Sequence, residues 1–228
     1  MTAALRLVLL GAGGLARETA EAATAPVAPP DERPLVAGFL DDDPALAGTV
    51  VAGLPVLGRT DEAAGLGPEH RFVATVASPR DPGRRLRLVA RVALPAARWA
   101  TVVHPGAHLA RSTTLGAGCV VMAGCVTTAD VVLGDHVVLM PGCILTHDDV
   151  LEDGVTLASG VRVSGAVHLG RDAYVGAGAL VREGLTVGAG AVIGMGAVVT
   201  RDVPAGEVWA GVPARRMTAS WQPVPTPS

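Results

Sequence analysis

A six-residue pattern of hydrophobic residues runs through the second half of the chain, from residue 103 to residue 199. Sixteen of the seventeen positions in this series are Leu, Ile or Val, and Thr127 is the exception. A second series, four residues after the first, is mostly small or apolar, and Gly is frequent between the two. Such a hexapeptide repeat is the signature of a parallel β-helix.

The pattern before residue 100 is different and indicates a small α/β domain. Residues 5–10 predict a strand, residues 11–16 a glycine-rich turn, and a helix follows to about residue 23. We expect further strands at 35–40 and 71–77, a short helix at 60–64 and a basic helix at 82–92. Residues 24–34 predict a Pro-rich loop, and residues 53–58 a turn. The predicted domains are 1–100 (Rossmann-like), 101–217 (β-helix) and 218–228, a Pro-rich tail that we expect to be mostly disordered.

Composition narrows the possible partners. The 228 residues carry a net charge of −3 and only 3% aromatic side chains, which argues against nucleic acid as the main partner. No uninterrupted apolar run is long enough to span a membrane, and the first apolar run indicates a strand rather than a signal peptide. Three cysteines without metal-like spacing fit a reducing compartment, so we expect a cytoplasmic protein.

The glycine-rich turn has the form G-x-G-x-x-A, which by itself is a weak dinucleotide motif. A nicotinamide cofactor is disfavoured, because the domain is short and the acidic cluster follows Gly11 by some thirty residues. The favoured interpretation is a half-sized nucleotide pocket that uses the turn and either Asp41 or Asp42. A tight turn beside a solvated acidic loop remains the alternative.

His147, Asp148 and Asp149 are the largest departure from the repeat. Asp149 falls in the second inward series, where its neighbours one coil away are Val131 and Val167. A carboxylate at such a position is costly unless it is hydrogen-bonded or protonated. His147 can act as a general base near neutral pH, and an adjacent carboxylate can orient its ring. A surface histidine beside two solvated acids is the alternative.

A metal site on the β-helix is disfavoured, because five histidines occupy five different phases of the 18-residue coil and none stack directly. His136 and His168 are expected to be ordinary outward side chains. No base is spaced to activate a Ser or Cys nucleophile. The five histidines are His104, His108, His136, His147 and His168.

Four features of the chain occur together in one known family: the glycine-rich opening, the segment 38–43, the His147–Asp148 pair within the hexapeptide repeat, and the closing segment 211–215. The chain resembles the sialic acid O-acetyltransferase family, which includes bacterial N-acetyltransferases of nucleotide-linked 4-amino sugars. The resemblance covers about residues 5–217. It implies a Rossmann-like domain that holds the nucleotide sugar and a left-handed β-helix that forms a homotrimer. It also implies that acetyl-CoA lies in the groove between subunits.

The resemblance also implies roles for individual residues. His147 would be the proton acceptor and Asp148 would raise its basicity, while Thr156 and Ala177 would face acetyl-CoA. The chain departs from the family at Leu15 and Thr156, where a histidine is common, and at Asp149, where a cysteine is common. The residues implied to contact the nucleotide sugar are Gly13, Gly14, Leu15, Asp41, Asp42 and Ala77.

These patterns predict an acetyl-CoA-dependent enzyme that acetylates an amino group of a nucleotide-linked sugar, without a metal. O-acetylation of a sugar hydroxyl, as on a sialic acid-like compound, is the second hypothesis. A catalytically silent trimeric sugar-binding scaffold is the third. Because an amine must be unprotonated to attack, activity is expected to rise with pH through the neutral range.

Overall fold

A computed structural model describes residues 5–26 and 34–217 of the chain. The N-terminal part forms a five-stranded sheet with strand order β3-β4-β2-β1-β5, in which only the β3–β4 pair is antiparallel. Its strands and helices are β1 (Arg6–Leu10), α1 (Gly14–Thr24), β2 (Leu35–Leu40), β3 (Val50–Val51), β4 (Leu54–Gly58), β5 (His70–Ala74) and α2 (Arg84–Val92). Single-turn 3₁₀ helices lie at Pro44–Leu46 and Ala96–Arg98, and a longer one at Thr60–Gly65.

The two faces of this sheet bury different partners. Helix α1 packs one face together with the first strands of the β-helix, so that Leu9, Ala16 and Val120 belong to a single core. Helix α2 and the 3₁₀ helix at Thr60–Gly65 cover the other face, around Leu10 and Phe72. Burial on both faces explains why β1 is apolar along nearly its whole length.

Three predictions for this domain need correction. The segment predicted as a turn contains strand β4, which pairs with β3 through Val50–Pro55 and Val51–Leu54. A two-residue strand is too short to show an alternating pattern, so the hairpin was missed. The strand predicted at 71–77 ends at Ala74, and the basic helix starts at Arg84 rather than residue 82. The predicted loop lies mostly outside the described residues, as does the Pro-rich tail.

The hexapeptide repeat forms a left-handed β-helix with three faces, each a sheet of parallel strands except where β23 pairs antiparallel with β22. This architecture confirms the predicted fold class. Face A contains β7 (Thr114–Leu115), β10 (Val132–Leu133), β13 (Val150–Leu151), β16 (His168–Leu169) and β19 (Thr186–Val187). Face B contains β6 (Val102–Val103), β8 (Val120–Val121), β11 (Val138–Leu139), β14 (Thr156–Leu157), β17 (Tyr174–Val175), β20 (Val192–Ile193), β22 (Val208–Ala210) and β23 (Arg215–Arg216). Face C contains β9 (Val126–Thr127), β12 (Ile144–Leu145), β15 (Arg162–Val163), β18 (Leu180–Val181) and β21 (Val198–Val199).

Each coil contains 18 residues, so that Leu133 pairs with Leu151 and Leu151 with Leu169. The inward residues of both predicted series form one continuous core. The turns add a third regularity, because every sixth residue from 118 to 196 has a positive φ. Nine of these fourteen positions are Gly, the residue best suited to that conformation. The five others are Asp130, His136, Asp148, Ala166 and Asp172.

A buried arginine joins the two parts of the chain. Arg85 on α2 is 1% exposed, and its Nη2 donates to the carbonyl oxygens of Gly154 and Val155 and to Thr156 Oγ1, at 2.7, 3.2 and 2.7 Å respectively. Its Nη1 donates to the carbonyl oxygen of Val76. Burial lowers the pKa of Arg85 to about 10, and the charge of a nearby aspartate partly offsets the effect. The guanidinium therefore remains charged at pH 7 and fastens α2 to face B.

His136 differs from its prediction as an outward side chain. It is 5% exposed, and its ring meets that of Trp99 edge-on with the centroids 4.8 Å apart. Burial lowers the pKa of His136. This histidine is therefore part of the contact between the two domains rather than a surface group.

Candidate active site

The His147–Asp148 pair lies on the turn that leads from β12 to β13. Both side chains are more than half exposed, and His147 Nδ1 lies 2.8 Å from Asp148 Oδ2. An ionised carboxylate can only accept, so Nδ1 carries the proton and Nε2 keeps its lone pair. Asp148 occupies one of the positive-φ positions, with φ of 62°. Aspartate tolerates this conformation better than most residues with a side chain, and the turn points its carboxylate back to the ring of the preceding residue.

Gly165 makes room for the imidazole, and the sequence interpretation missed it. It lies one coil beyond His147, and a β-carbon at this position would fall 2.4 Å from both Cε1 and Nε2 of the ring. The hydrogen bond from Ala166 N to the carbonyl oxygen of His147 holds the two turns together at 2.8 Å. An 18-residue step from His147 would have found this glycine.

Asp149 is fully buried, as its place in the inward series predicts. Its Oδ2 accepts from Thr146 N and its Oδ1 from Val167 N, each at 2.9 Å. Burial raises the pKa of Asp149 to about 6, although both backbone hydrogen bonds oppose the shift. Two backbone N–H groups thus satisfy the Asp149 carboxylate at this buried position.

A second candidate region lies at the carboxyl ends of β1, β2 and β5, where a cavity of about 270 Å³ opens. Asp41 and Asp42 line it, as predicted for a nucleotide pocket. Asp41 Oδ2 accepts from Ala12 N in the glycine-rich turn at 2.7 Å. Asp42 Oδ1 accepts from the backbone N and the hydroxyl of Thr60, and Arg91 donates to its Oδ2. Burial alone would raise the pKa of Asp42, but these donors outweigh it and lower the pKa.

Three arginines of α2 form the opposite wall of this cavity. Arg84, Arg87 and Arg91 are spaced three and four residues apart, which places them on one side of the helix. The sequence showed that this helix is basic, but it did not show that the basic side faces the two aspartates. The cavity therefore combines carboxylates with guanidinium groups.

The remaining residues predicted to contact the nucleotide sugar surround the turn. Gly13 is the N-cap residue of α1 and Gly14 its first residue, and both are exposed. The side chain of Leu15 is buried in the core beside α1, so only its backbone can meet a ligand. Ala77 is half-buried and follows Val76, which lines the cavity.

A third region is an apolar cavity of about 430 Å³ along face B. Ala177, predicted to face acetyl-CoA, lines it together with Tyr174 and Met195, and Pro79 closes it from the other domain. Thr156 does not line this cavity. Its side chain is 3% exposed and accepts the hydrogen bond from Arg85. The Thr156 hydroxyl is therefore used in the contact with α2, and the contact of Thr156 with acetyl-CoA stays a prediction.

Two further searches concern only the described residues. They contain no group of three or more His, Cys, Asp or Glu side chains that could hold a metal ion. They also contain no helix with the length and apolar character needed to cross a membrane.

Comparison with known proteins gives three informative matches among solved structures. The chain is 32% identical to the acetyltransferase domain of PglB from Neisseria gonorrhoeae FA1090, solved in complex with acetyl coenzyme A. The match has a TM-score of 0.81 and covers 94% of this chain and 100% of that one. The chain belongs to the hexapeptide-repeat nucleotide-amino-sugar acetyltransferases.

Two other solved structures are also similar to the chain. A mutant of perosamine N-acetyltransferase from Caulobacter crescentus, in complex with CoA and GDP-perosamine, is 28% identical with a TM-score of 0.81, over 96% of this chain and 99% of that one. WeeI from Acinetobacter baumannii AYE is 25% identical with a TM-score of 0.76, over 93% and 100%. Residues 166–201 match the family model described as hexapeptide repeat of succinyl-transferase. A search of curated proteins finds no match.

Membership of this acetyltransferase family confirms the prediction that the chain is an acyltransferase.

Proposed function

We propose that this protein transfers the acetyl group of acetyl-CoA to the amino group of a nucleotide-linked amino sugar, with His147 as general base. The observation that carries the proposal is the exposed His147–Asp148 pair, in which Nδ1 is hydrogen-bonded to the carboxylate and Nε2 has no hydrogen-bond partner among the described residues. The similarity to acetyltransferases solved with acetyl coenzyme A and with GDP-perosamine supports both substrates.

The reaction is a direct transfer. The unprotonated amine of the sugar attacks the thioester carbonyl carbon of acetyl-CoA, and a C–N bond forms. Nε2 of His147 accepts a proton from this nitrogen, and the Asp148 carboxylate stabilises the imidazolium. The C–S bond then breaks, and CoA leaves as a thiolate that takes up a proton. The products are the N-acetylated sugar nucleotide and CoA.

The apolar cavity on face B suits the acetyl-CoA arm. It is lined by Ala158, Tyr174, Ala177 and Met195, and apolar walls with few polar groups are typical of small-molecule sites. We assign Ala177 to this site, and Thr156 can meet acetyl-CoA only through its backbone, because its side chain bonds Arg85.

The cavity between the sheet edge and α2 suits a nucleoside diphosphate. Arg84 and Arg87 supply positive charge for phosphate oxygens, while Asp41 and Asp42 can accept from hydroxyl or amino groups. The exposed N-terminus of α1 at Gly13 adds free backbone N–H groups. Gly14, the backbone of Leu15 and Ala77 complete the proposed site at its rim.

We further propose the division into domains 1–100 and 101–217 and a homotrimer built on the β-helix. The first strand of the β-helix starts at Val102, close after the 3₁₀ helix at Ala96–Arg98. Val132, Val150 and Leu180 remain exposed on its faces, and covering them by neighbouring subunits would remove apolar surface from water. The three cysteines are free and buried, which supports a reducing, cytoplasmic location.

One assay tests this function against its alternatives. The purified protein is mixed with acetyl-CoA and with GDP-perosamine or other nucleoside-diphosphate 4-amino sugars, and free thiol release is followed. We expect release, and mass spectrometry should show an acetylated amine. An acetylated hydroxyl would favour the O-acetyltransferase hypothesis, and no release with any sugar would favour the silent scaffold.

Two variants test the base. His147→Ala should lower kcat by roughly 10²- to 10⁴-fold, the usual contribution of a general base. His168→Ala is the matched control, because His168 is also an exposed histidine hydrogen-bonded to a carboxylate, with Nε2 2.7 Å from Glu152 Oε1. It should keep its turnover. Unchanged turnover in His147→Ala would contradict the mechanism.

A further inference from the structure

Asp149 occupies a place that the fold normally gives to an apolar residue. The inward positions one coil before and one coil after it are Val131 and Val167, and all three side chains are buried. The reaction described above has no use for a buried carboxylate at this position. The hydrogen bonds around Asp149 show what it does instead.

Asp149 accepts a hydrogen bond that in other coils is made between neighbouring backbones. After the strands β15 and β18 of face C, the N–H groups of Ser164 and Arg182 donate to the carbonyl oxygens of Val181 and Val199, each at 3.0 Å. The equivalent N–H of Thr146 donates to Asp149 Oδ2 instead. The carbonyl oxygen of Val163, its expected acceptor, is taken by the hydroxyl of Thr146 at 3.1 Å. The backbone hydrogen bonding between coils is therefore interrupted at Thr146, one residue before His147.

The other oxygen of the same carboxylate reaches the next coil. Asp149 Oδ1 accepts from Val167 N, two residues after the glycine on which the His147 ring rests. The Asp149 side chain thus accepts hydrogen bonds both from the residue before His147 and from the turn of the next coil that contains Gly165. Because Asp149 is mostly ionised at pH 7, both oxygens can accept at once.

We infer that Asp149 is a positioning residue, which sets the course of the 146–149 turn and thereby the placement of the His147 imidazole over Gly165. The inference rests on the proposed function of His147 as base. Asp149 itself is enclosed by the coil and does not touch the reacting atoms.

Asp149→Val is the informative substitution, because valine is the residue that this chain uses at the same place in both neighbouring coils. Valine fits the core, and the Thr146 N–H is free to donate to the Val163 carbonyl oxygen, as the Ser164 N–H donates to Val181 O in the next coil, where Val167 is the inward residue. The variant should therefore fold, but with His147 displaced. Asp149→Asn keeps the shape and one acceptor oxygen, and it serves as the second variant.

Kinetics of the full-length enzyme with acetyl-CoA and the accepted nucleotide sugar form the first test. We expect Asp149→Val to lower kcat by roughly 10²-fold, the usual cost of misplacing a reacting group by about 1 Å, with both KM values unchanged. Asp149→Asn should fall between this variant and the wild type. Wild-type kcat in either variant would overturn the inference.

Val161→Ala is the control for simple loss of stability. Val161 is a fully buried inward residue of the next coil, and its shortening leaves a cavity without touching the turn. It should keep its kcat. If its kcat falls as much as that of Asp149→Val, general destabilisation explains the loss and the positioning role is wrong.

A crystal structure of Asp149→Val tests the inference without activity. We expect Thr146 N within hydrogen-bonding distance of Val163 O and a displaced His147 ring. An unmoved ring would overturn the inference even if His147→Ala is inactive. Conversely, a displaced ring together with an active His147→Ala would leave the effect of Asp149 on the turn intact and refute the base.

Discussion

Gly165 lies against the ring of His147 so closely that a β-carbon would fall 2.4 Å from Nε2 and Cε1. The φ of Gly165 is not in the left-handed region, so glycine is required here for space and not for backbone conformation. The absence of a side chain is thus a determinant of where the proposed base sits.

Gly165→Ala should displace His147 while leaving the coil folded. We expect kcat to fall by roughly 10²-fold with little change in either KM, because the ring and not the substrate sites must move. Steady-state kinetics measures the effect. Gly65→Ala is the matched control, because a β-carbon there meets nothing within 4 Å, and it should keep full activity.

Asp148→Asn separates the charge of the carboxylate from its shape. Asparagine tolerates the positive φ at this position, and its amide oxygen can still accept from Nδ1. We expect kcat to fall by about 10- to 100-fold, because a neutral partner stabilises the imidazolium less. Asp130→Asn changes the equivalent positive-φ residue one coil earlier and should have no effect on kcat. An equal loss in both variants would point to the turns and not to the His147 pair.

The raised pKa of Asp149 predicts how stability depends on pH. The folded protein holds this proton up to about pH 6, whereas the unfolded chain releases it near its ordinary value of 3.8. The contribution of Asp149 to stability is therefore greatest below its unfolded pKa and falls as pH rises through this window, by about 3 kcal/mol in all. His147 and Asp148 are the other ionisable groups that act on it.

Urea denaturation of wild type and Asp149→Val at equal protein concentration, at about pH 4 and about pH 7, isolates this contribution. The difference in free energy of unfolding between the two proteins should shift in favour of the variant by about 2 kcal/mol at the higher pH, because at pH 4 the unfolded carboxyl is already partly ionised. A difference that does not depend on pH would show that the carboxyl titrates normally.

Ala177→Asp tests the proposed acetyl-CoA cavity. A carboxylate on this apolar wall should raise the KM for acetyl-CoA by roughly tenfold, because it must be desolvated and repels the phosphates of CoA. The KM for the nucleotide sugar should not change. Ala189→Asp is the control, since Ala189 is equally exposed on another turn and does not line this cavity. Equal effects of the two variants would remove Ala177 from the site.

The β-helix could be predicted from the sequence because its hydrophobic pattern is local and is repeated in every coil. The six-residue series runs through every coil, and the pairing of Leu133 with Leu151 follows from it. The same periodicity placed Asp149 inside correctly. The hairpin of β3 and β4 was missed, because Val50–Val51 is only a two-residue strand and carries no periodic signal.

The contacts between the two domains could not be predicted from the pattern. A basic helix normally implies a solvated surface, yet Arg85 is enclosed because α2 packs on the carbonyl groups of the turn before β14 and on the Thr156 hydroxyl. His136 is buried for the same reason, against Trp99. The burial of both residues depends on where segments distant in sequence pack together. The residues next to each of them in sequence carry no information about this packing.

The enclosed Arg85 also limits how the chain can be divided. A fragment cut near residue 100 would leave the β-helix without the side-chain donor to the carbonyl oxygens of Gly154 and Val155 and with an uncovered apolar strip at Val120 and Val138. The other fragment would expose a helix whose guanidinium has lost the acceptors of its Nη2. The two parts of the chain are therefore not interchangeable modules, and exchanging one between relatives requires carrying its half of this contact along.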